Sequence, residues 1–246
     1  MNVLVVGAGA MGRWFADAVR ADDVGIAFAD PDDAAASAAA DAVDGRAVPL
    51  DTDESFTAVC IAVPIPVAVE AIATHADRAE RALIDVTGVA AEPVAAMREH
   101  APDRERLSLH PLFAPENEPG NVAAVVDAAG STTDAVRDAL TARGNDVFET
   151  TADEHDRAME TVQAKTHAAV LAFGLAADPV PEEFQTPIST VLFDLLEQVT
   201  GGDARVYADI QDAFDGAEDV AAAAEELAAT DADAFGALYD RAGDHR

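Results

Sequence analysis

The stretch Met1-Asn2-Val3-Leu4-Val5-Val6-Gly7-Ala8-Gly9-Ala10-Met11-Gly12 decides how the rest of the chain reads. Residues 2–6 are an apolar run of the kind found in strands covered on both faces. A glycine turn follows at once, and a helix is expected over 11–20. Gly7 permits the tight turn, Gly9 lets backbone approach a pyrophosphate, and Gly12 lets the helix close onto the strand. Met11 belongs to the same turn and counts among the candidate cofactor contacts. The helix N-terminus offers free N–H groups and the positive end of its dipole to phosphates. Beyond Gly12, Asp30 ends the second strand, where a carboxylate can bind both ribose hydroxyls. Asp32 and Asp33 follow with no arginine among them, so a 2′-phosphate would meet repulsion. The expected cofactor is therefore NAD and not NADP.

Working outward, strand signals recur at 24–29, 58–63, 82–86, 107–109, 122–127 and 146–149, with helices from Asp33, over 92–100 and over 133–143. This alternation predicts an α/β domain, a Rossmann-like parallel sheet. Pro64 and Pro66 stop the 58–63 run, and the Pro64-Ile65-Pro66 loop is expected to line the nicotinamide side. The pattern changes at Thr150. Thr151-Ala152-Asp153-Glu154 reads as a capping box. From there on only helical stretches appear, broken by Pro179-Val180-Pro181, Gly201-Gly202 and Gly216. The expected division is a Rossmann NAD-binding domain over 1–150 and an all-helical domain for substrate and dimerisation over 151–246. So few helical residues make a thin core, which burial against a second copy would complete, predicting a homodimer.

Composition narrows the partners. Of 246 residues, 47 are acidic and 15 are Lys or Arg, a net charge of −32 that repels nucleic acid and anionic membranes. Lys165 is the sole lysine. Acidic chains poor in lysine look like proteins of salt-accumulating halophiles, where a Debye length of about 3 Å at 1 M salt screens self-repulsion. No apolar stretch reaches the roughly 20 residues of a membrane span. The first strand starts too early for a signal peptide. A lone cysteine, Cys60, fits a reducing cytoplasm and reads as an inert core residue. The expected location is cytoplasmic, with neither nucleic acid nor membrane as partner.

Two segments carry candidate chemistry. Leu109-His110-Pro111-Leu112-Phe113-Ala114-Pro115 puts a histidine at the end of a sheet strand, where such folds bind ligands. There it can take a proton at neutral pH as hydride leaves the same carbon. In the second segment, 155, 159, 163 and 167 form one helical stripe, making Gln163 and His167 neighbours. His155 and His167 are spaced like no helical metal motif, so no metal is expected. Trp14 reads as packing, and His75, His100 and His245 as solvated.

Together, the GAGAMG turn, HPLFAP at 110–115 and EHDRAMETVQAKTH at 154–167 resemble the prephenate dehydrogenase (TyrA) family, whose counterparts are HPMFGP and EHDxxMxxxQxxxH. Thr186-Pro187-Ile188 and Val206-Tyr207-Ala208-Asp209-Ile210 are similar to its SPIY…LYADI. The resemblance implies NAD-dependent oxidative decarboxylation of prephenate to 4-hydroxyphenylpyruvate in tyrosine biosynthesis. It casts His110 as the base at the ring hydroxyl and His167 as the helix histidine facing the substrate. It also implies dimers built by the helical half.

The chain departs from the family at points that matter. The family's DxxSVK appears as Asp85-Val86-Thr87-Gly88-Val89-Ala90, so the substrate-contacting serine is Gly88, and Thr87 offers a hydroxyl only from the neighbouring position. Family arginines align with Thr190 and Gln198. The candidate substrate contacts are therefore Thr87, Gln163 and Lys165, with Arg157 and Arg205 as further cations. An acidic pocket without the arginine also suits zwitterionic arogenate. The same residues fit two further functions, an NAD-linked oxidoreductase of a different small carboxylate and a non-catalytic NAD-binding sensor.

Overall fold

In β1 (Asn2–Val6) the side chains alternate between two cores: Val3 and Val5 enter one, Leu4 and Val6 the other, all at most 2% exposed. A strand buried on both faces needs helices above and below it, and the computed structural model, which describes residues 1–244, supplies them. Its strands are completed by β2 (Gly25–Ala29), β3 (Arg46–Ala47), β4 (Phe56–Ile61), β5 (Ala79–Val86), β6 (Glu105–Pro111), β7 (Asn121–Ala128) and β8 (Asp146–Glu149). They form one sheet in the order β3-β2-β1-β4-β5-β6-β7-β8. Helices α1 (Ala10–Ala18), α2 (Asp33–Ala42) and α5 (Ser131–Ala142) bury Trp14, Phe15, Ala39, Val136 and Leu140 on one face. On the other, α3 (Ile65–His75) and α4 (Ala91–His100) bury Ile72, Val94 and Met97.

Three features differ from the sequence expectation. The sheet is mixed: β7 runs antiparallel to β6, and β8 parallel to β7. The link over 112–120 is too short for the dozen or more residues that a parallel crossover needs. Pro64 and Pro66 end a strand but also open α3, Pro64 as its cap and Pro66 in its first turn, where a missing N–H costs nothing. His75 is buried, not solvated, with Arg78 2.5 Å from its Nδ1; burial pushes its pKa down to about 4. His100 is exposed, Cys60 and Trp14 are buried, and His245 lies outside the described residues.

The chain forms two compact units, dividing between Arg157 and Ala158. That division lies inside helix α6 (Ala152–Met159), whose first turns belong with the sheet. The second unit is helical throughout its described residues: a π-helical segment (Glu160–Lys165), α7 (Thr166–Ala176), α8 (Pro187–Thr200), α9 (Ala204–Ala213), α10 (Gly216–Ala229) and α11 (Phe235–Gly243). Gly216 packs so tightly on the π segment that a Cβ there would sit 2.6 Å from the Ala164 Cβ and 2.7 Å from the Lys165 nitrogen. No described helix is long and apolar enough to cross a membrane.

Candidate active site

The parallel strands β1, β4, β5 and β6 end on the same edge of the sheet, so the loops following them lie in a row. Gly7 follows β1, Pro64 follows β4, Thr87 and Gly88 follow β5, and His110 ends β6. From β1 to β6 is three strand spacings, about 14 Å. Because β1 has β2 on one side and β4 on the other, this is the switch point where such sheets bind ligands.

The glycine turn fits a dinucleotide by its steric demands. Gly7 has φ +104°, and a Cβ on it would lie 2.2 Å from the Ala62 carbonyl oxygen. A Cβ on Gly12 would lie 2.0 Å from the Gly7 carbonyl oxygen, so only glycine lets α1 start here. Gly9, the α1 cap, has nothing within 4 Å of its Cβ position, an open face of the kind a pyrophosphate needs. Met11 is partly exposed in the first turn. Asp30 steadies the loop: Oδ2 accepts from the Ala8 amide at 2.7 Å and Oδ1 from the Asp32 amide at 2.9 Å. Residues Gly7, Gly9, Gly12 and Asp30 would thus hold the pyrophosphate and ribose of NAD.

At the other end of the row, His110 is met by neighbouring loops. The Cβ position of Gly88 lies 3.2 Å from Ile65 Cδ1 and 3.9 Å from His110 Nε2, so the loops after β4 and β5 converge on that ring nitrogen. His110 Nδ1 lies 2.9 Å from His155 Nε2, and His155 Nδ1 lies 2.8 Å from Asp156 Oδ1. Asp156 also accepts from the amides of Ala90 and Ala91, at 2.8 and 2.9 Å. Burial and the adjacent His155 push the His110 pKa down to about 3, with Asp156 pulling the other way, so the ring is neutral at neutral pH. Burial alone would raise the Asp156 carboxyl; its hydrogen bonds from His155, Ala91 and Ala90 outweigh that and hold it below the usual carboxylate range.

Sequence reasoning missed His155, Asp156 and the buried Asp85. The EHD of the resemblance was a signal, but nothing local reveals that α6 lies against β6. Thr87 is 4% exposed and turned inward, its hydroxyl 2.6 Å from Asp85 Oδ1 and 2.8 Å from the Val89 carbonyl oxygen. That hydroxyl is engaged within the loop, so Thr87 is placed here as a residue that shapes the turn after β5. Burial raises the Asp85 pKa to about 7, against the opposing hydrogen bonds of Thr87 and Ser108.

In the helical unit, the π segment carries Gln163 and Lys165 and leads into His167. Such wide turns are frequent at functional sites, and one shifts the register that ideal helical spacing assumes. The Ala164 carbonyl accepts the Gln211 side-chain amide at 2.9 Å. His167 stacks edge-on against Tyr207 at 4.8 Å, joining the two segments that carried the family resemblance in this half. Burial lowers its pKa, and its Nδ1 is buried without a hydrogen-bond partner among the described residues. Lys165 is already paired with Glu160 at 3.1 Å and Asp219 at 2.6 Å. Among the described cations, Arg157 and Arg205 are exposed, and their side chains make no ion pair or hydrogen bond. Thr190 and Gln198 are exposed on α8. Among the described residues, no cluster of three or more His, Cys, Asp or Glu could hold a metal.

Comparison with known proteins bears on the family and the fold. Residues 15–129 match the family described as prephenate dehydrogenase, nucleotide-binding domain. The chain is 35% identical over 237 residues to a 4-amino-4-deoxyprephenate dehydrogenase of Streptomyces pristinaespiralis, covering 87% of this chain and 78% of that one. It is 28% identical to a probable arogenate/prephenate dehydrogenase of Methanocaldococcus jannaschii over 62% of this chain and 38% of the relative. In fold it is similar to the prephenate dehydrogenase of A. aeolicus solved with hydroxyphenyl propionate and NAD+, with TM-score 0.74 and 18% identity, covering 100% of this chain and 92% of that one. Sequence identity across most of both chains, with the nucleotide-binding match and the fold, shows that the chain belongs to the prephenate/arogenate dehydrogenase (TyrA) family of NAD-dependent oxidoreductases.

Proposed function

We propose that the protein oxidises and decarboxylates prephenate to 4-hydroxyphenylpyruvate, with His110 as the general base. The observation that carries this reading is a histidine at the carboxyl end of β6, on the same sheet edge as the glycine turn. When bound, NAD+ accepts the hydride from the ring carbon that bears the hydroxyl. His110 takes the hydroxyl proton as that hydride leaves. The ring carboxylate departs as carbon dioxide, and its bonding electrons aromatise the ring and place negative charge on the oxygen. His110 then returns its proton to that oxygen, so base and acid are one residue and no net proton is released. Gly7, Gly9, Met11, Gly12, Asp30 and Pro64 serve the cofactor. His167 and Gln163 serve the substrate, a role supported for His167 by its buried Nδ1, which has no hydrogen-bond partner among the described residues. Arg157 and Arg205 are the cations more available to substrate carboxylates, because Lys165 is already paired with two carboxylates.

A second reading has its own support. The Streptomyces relative is named for the 4-amino analogue, and Gly88, where the family has serine, puts no side chain between Ile65 and His110 Nε2. An amine in place of the ring hydroxyl would present its N–H there. The Methanocaldococcus relative is named for arogenate as well as prephenate.

The protein acts as a homodimer through the helical unit, in a high-salt cytoplasm. Support for the dimer comes from apolar residues left exposed on α8, Ile188, Val191 and Leu195, in a stripe of helical spacing. The test is NADH formation in multimolar KCl with prephenate, 4-amino-4-deoxyprephenate and arogenate offered separately. Turnover of prephenate that collapses in His110→Asn supports the first reading. Turnover of the amino analogue alone replaces it with the second, and NAD binding with no turnover leaves a sensor or an oxidoreductase of a different small carboxylate.

A further inference from the structure

We propose that His155 and Asp156 are a positioning pair for His110, fixing its ring in the Nδ1–H tautomer so that Nε2 is the nitrogen that takes the substrate's proton. The inference rests on the reading of His110 as the base. It follows from counting donors along a chain drawn from three elements: the end of β6, the first turns of α6 and the N-terminus of α4.

Asp156 is the fixed end. Its two oxygens accept from the Ala90 and Ala91 amides, at a helix N-terminus whose free N–H groups and dipole favour negative charge. An ionised carboxylate can only accept, so His155 Nδ1, 2.8 Å away, must be the donor. A neutral His155 then has only a lone pair at Nε2. His110 Nδ1, 2.9 Å from it, must therefore carry the hydrogen, which leaves the lone pair of His110 on Nε2. That is the nitrogen facing Gly88 and Ile65, on the loop side of the sheet edge. His155 is 3% exposed, so water does not compete for either of its nitrogens. The ring centroids are 5.1 Å apart at 65°, as an edge-on nitrogen-to-nitrogen contact requires. When His110 becomes positive during the reaction, Asp156 lies two hydrogen bonds away with the opposite charge. A buried carboxylate orienting a histidine is familiar from hydrolase triads; here a second imidazole stands between them.

The arrangement has a rival that makes the opposite prediction. Were His155 doubly protonated, its Nε2 would donate to His110 Nδ1, and His110 would carry its own hydrogen on Nε2, as a donor instead of a base. The experiment is nitrogen-detected NMR of the 15N-histidine-labelled full-length protein, together with steady-state kinetics of His155→Leu and His155→Gln. In the parent protein His110 is expected as the Nδ1–H tautomer. His155→Leu should lose that signature and lower kcat about 10–10²-fold, short of the roughly 10²–10⁴ of losing a base. KM and the NAD dissociation constant should stay within about twofold. His155→Gln, whose amide can accept from His110 and donate to Asp156, should keep the tautomer and most of kcat. An Nε2–H signature for His110 in the parent, or an unchanged kcat in His155→Leu, overturns the proposal. If no substrate is turned over but the Nδ1–H signature is present and vanishes in His155→Leu, the positioning pair stands and the substrate reading falls.

Discussion

The sheet unit and the helical unit hold their residues by different means. In the first, nearly every strand residue that faces a helix is buried, and Gly7, Asp30, Pro64 and His110 sit at or just beyond strand ends whose positions the sheet register fixes. In the second, few side chains are buried, among them Ala164, Val170 and Ile210, while Leu175 is 90%, Ile188 76% and Phe184 72% exposed. A site built on the first unit depends on local covalent and hydrogen-bond geometry. One built on the second depends on what covers its apolar surface. The difference teaches that substitutions in the sheet unit should act on chemistry with assembly intact, and those in the helical unit on assembly first.

The sharpest form of that contrast is His110→Asn. It should lower kcat by roughly 10²–10⁴-fold, the contribution of a positioned base, with oligomeric state and NAD affinity unchanged by light scattering and calorimetry. Next in size is Gly12→Ala, where the new Cβ meets a carbonyl oxygen at 2.0 Å. Backbone cannot give way cheaply there, so NAD affinity should fall by at least about tenfold, or about 1.4 kcal/mol. On the helical side, the pair Ile188→Glu and Val191→Glu should convert a dimer to a monomer in sedimentation, since two charges cannot be desolvated in an apolar interface. A dimer that survives would remove the contrast between the units. Lys165→Ala is expected to do least: its ammonium already sits between two carboxylates, so KM should change less than about twofold. A tenfold rise in KM would restore it as a substrate cation.

How much of this was legible in the sequence follows the same division. The glycine turn and the strand-end positions of Asp30 and His110 could be read because they depend on neighbours close in the chain. The helix after Pro64 was not legible, because proline ends a strand and opens a helix with equal ease. The reversal of β7 could have been read from loop length. The partnership of His110 with His155 could not, since it joins residues 45 apart whose meeting depends on tertiary packing. In the helical half, the stripe over 155–167 was read with ideal α-helical spacing, whereas residues 160–165 form a π segment with Gly216 pressed against it. The fold was legible from periodicity and the cofactor from local motifs; the contacts that tune the base were not.

Asp85 offers a finer test of the sheet unit. The Thr87 hydroxyl has one proton yet lies within bonding distance of both the Val89 carbonyl oxygen and Asp85 Oδ1. Both contacts are hydrogen bonds only if Asp85 is protonated and donates to Thr87 while Thr87 donates to Val89. That agrees with burial raising the Asp85 pKa to about 7. A carboxyl whose pKa is higher folded than unfolded binds more protons in the native state, so its contribution is complete below the ordinary carboxylate range and is lost as pH rises toward 7. Asp85→Asn keeps the donor and removes the titration. Relative to the parent, its melting temperature should be unchanged near pH 4 and higher at pH 8, by at least the roughly 2–4 °C that 1 kcal/mol produces in a chain of this size. The difference between the two proteins isolates this group from the buried His75, whose lowered pKa acts with the opposite sign. A variant less stable than the parent at pH 8 would mean that Asp85 is ionised in the fold and that Thr87 leaves the Val89 carbonyl unserved.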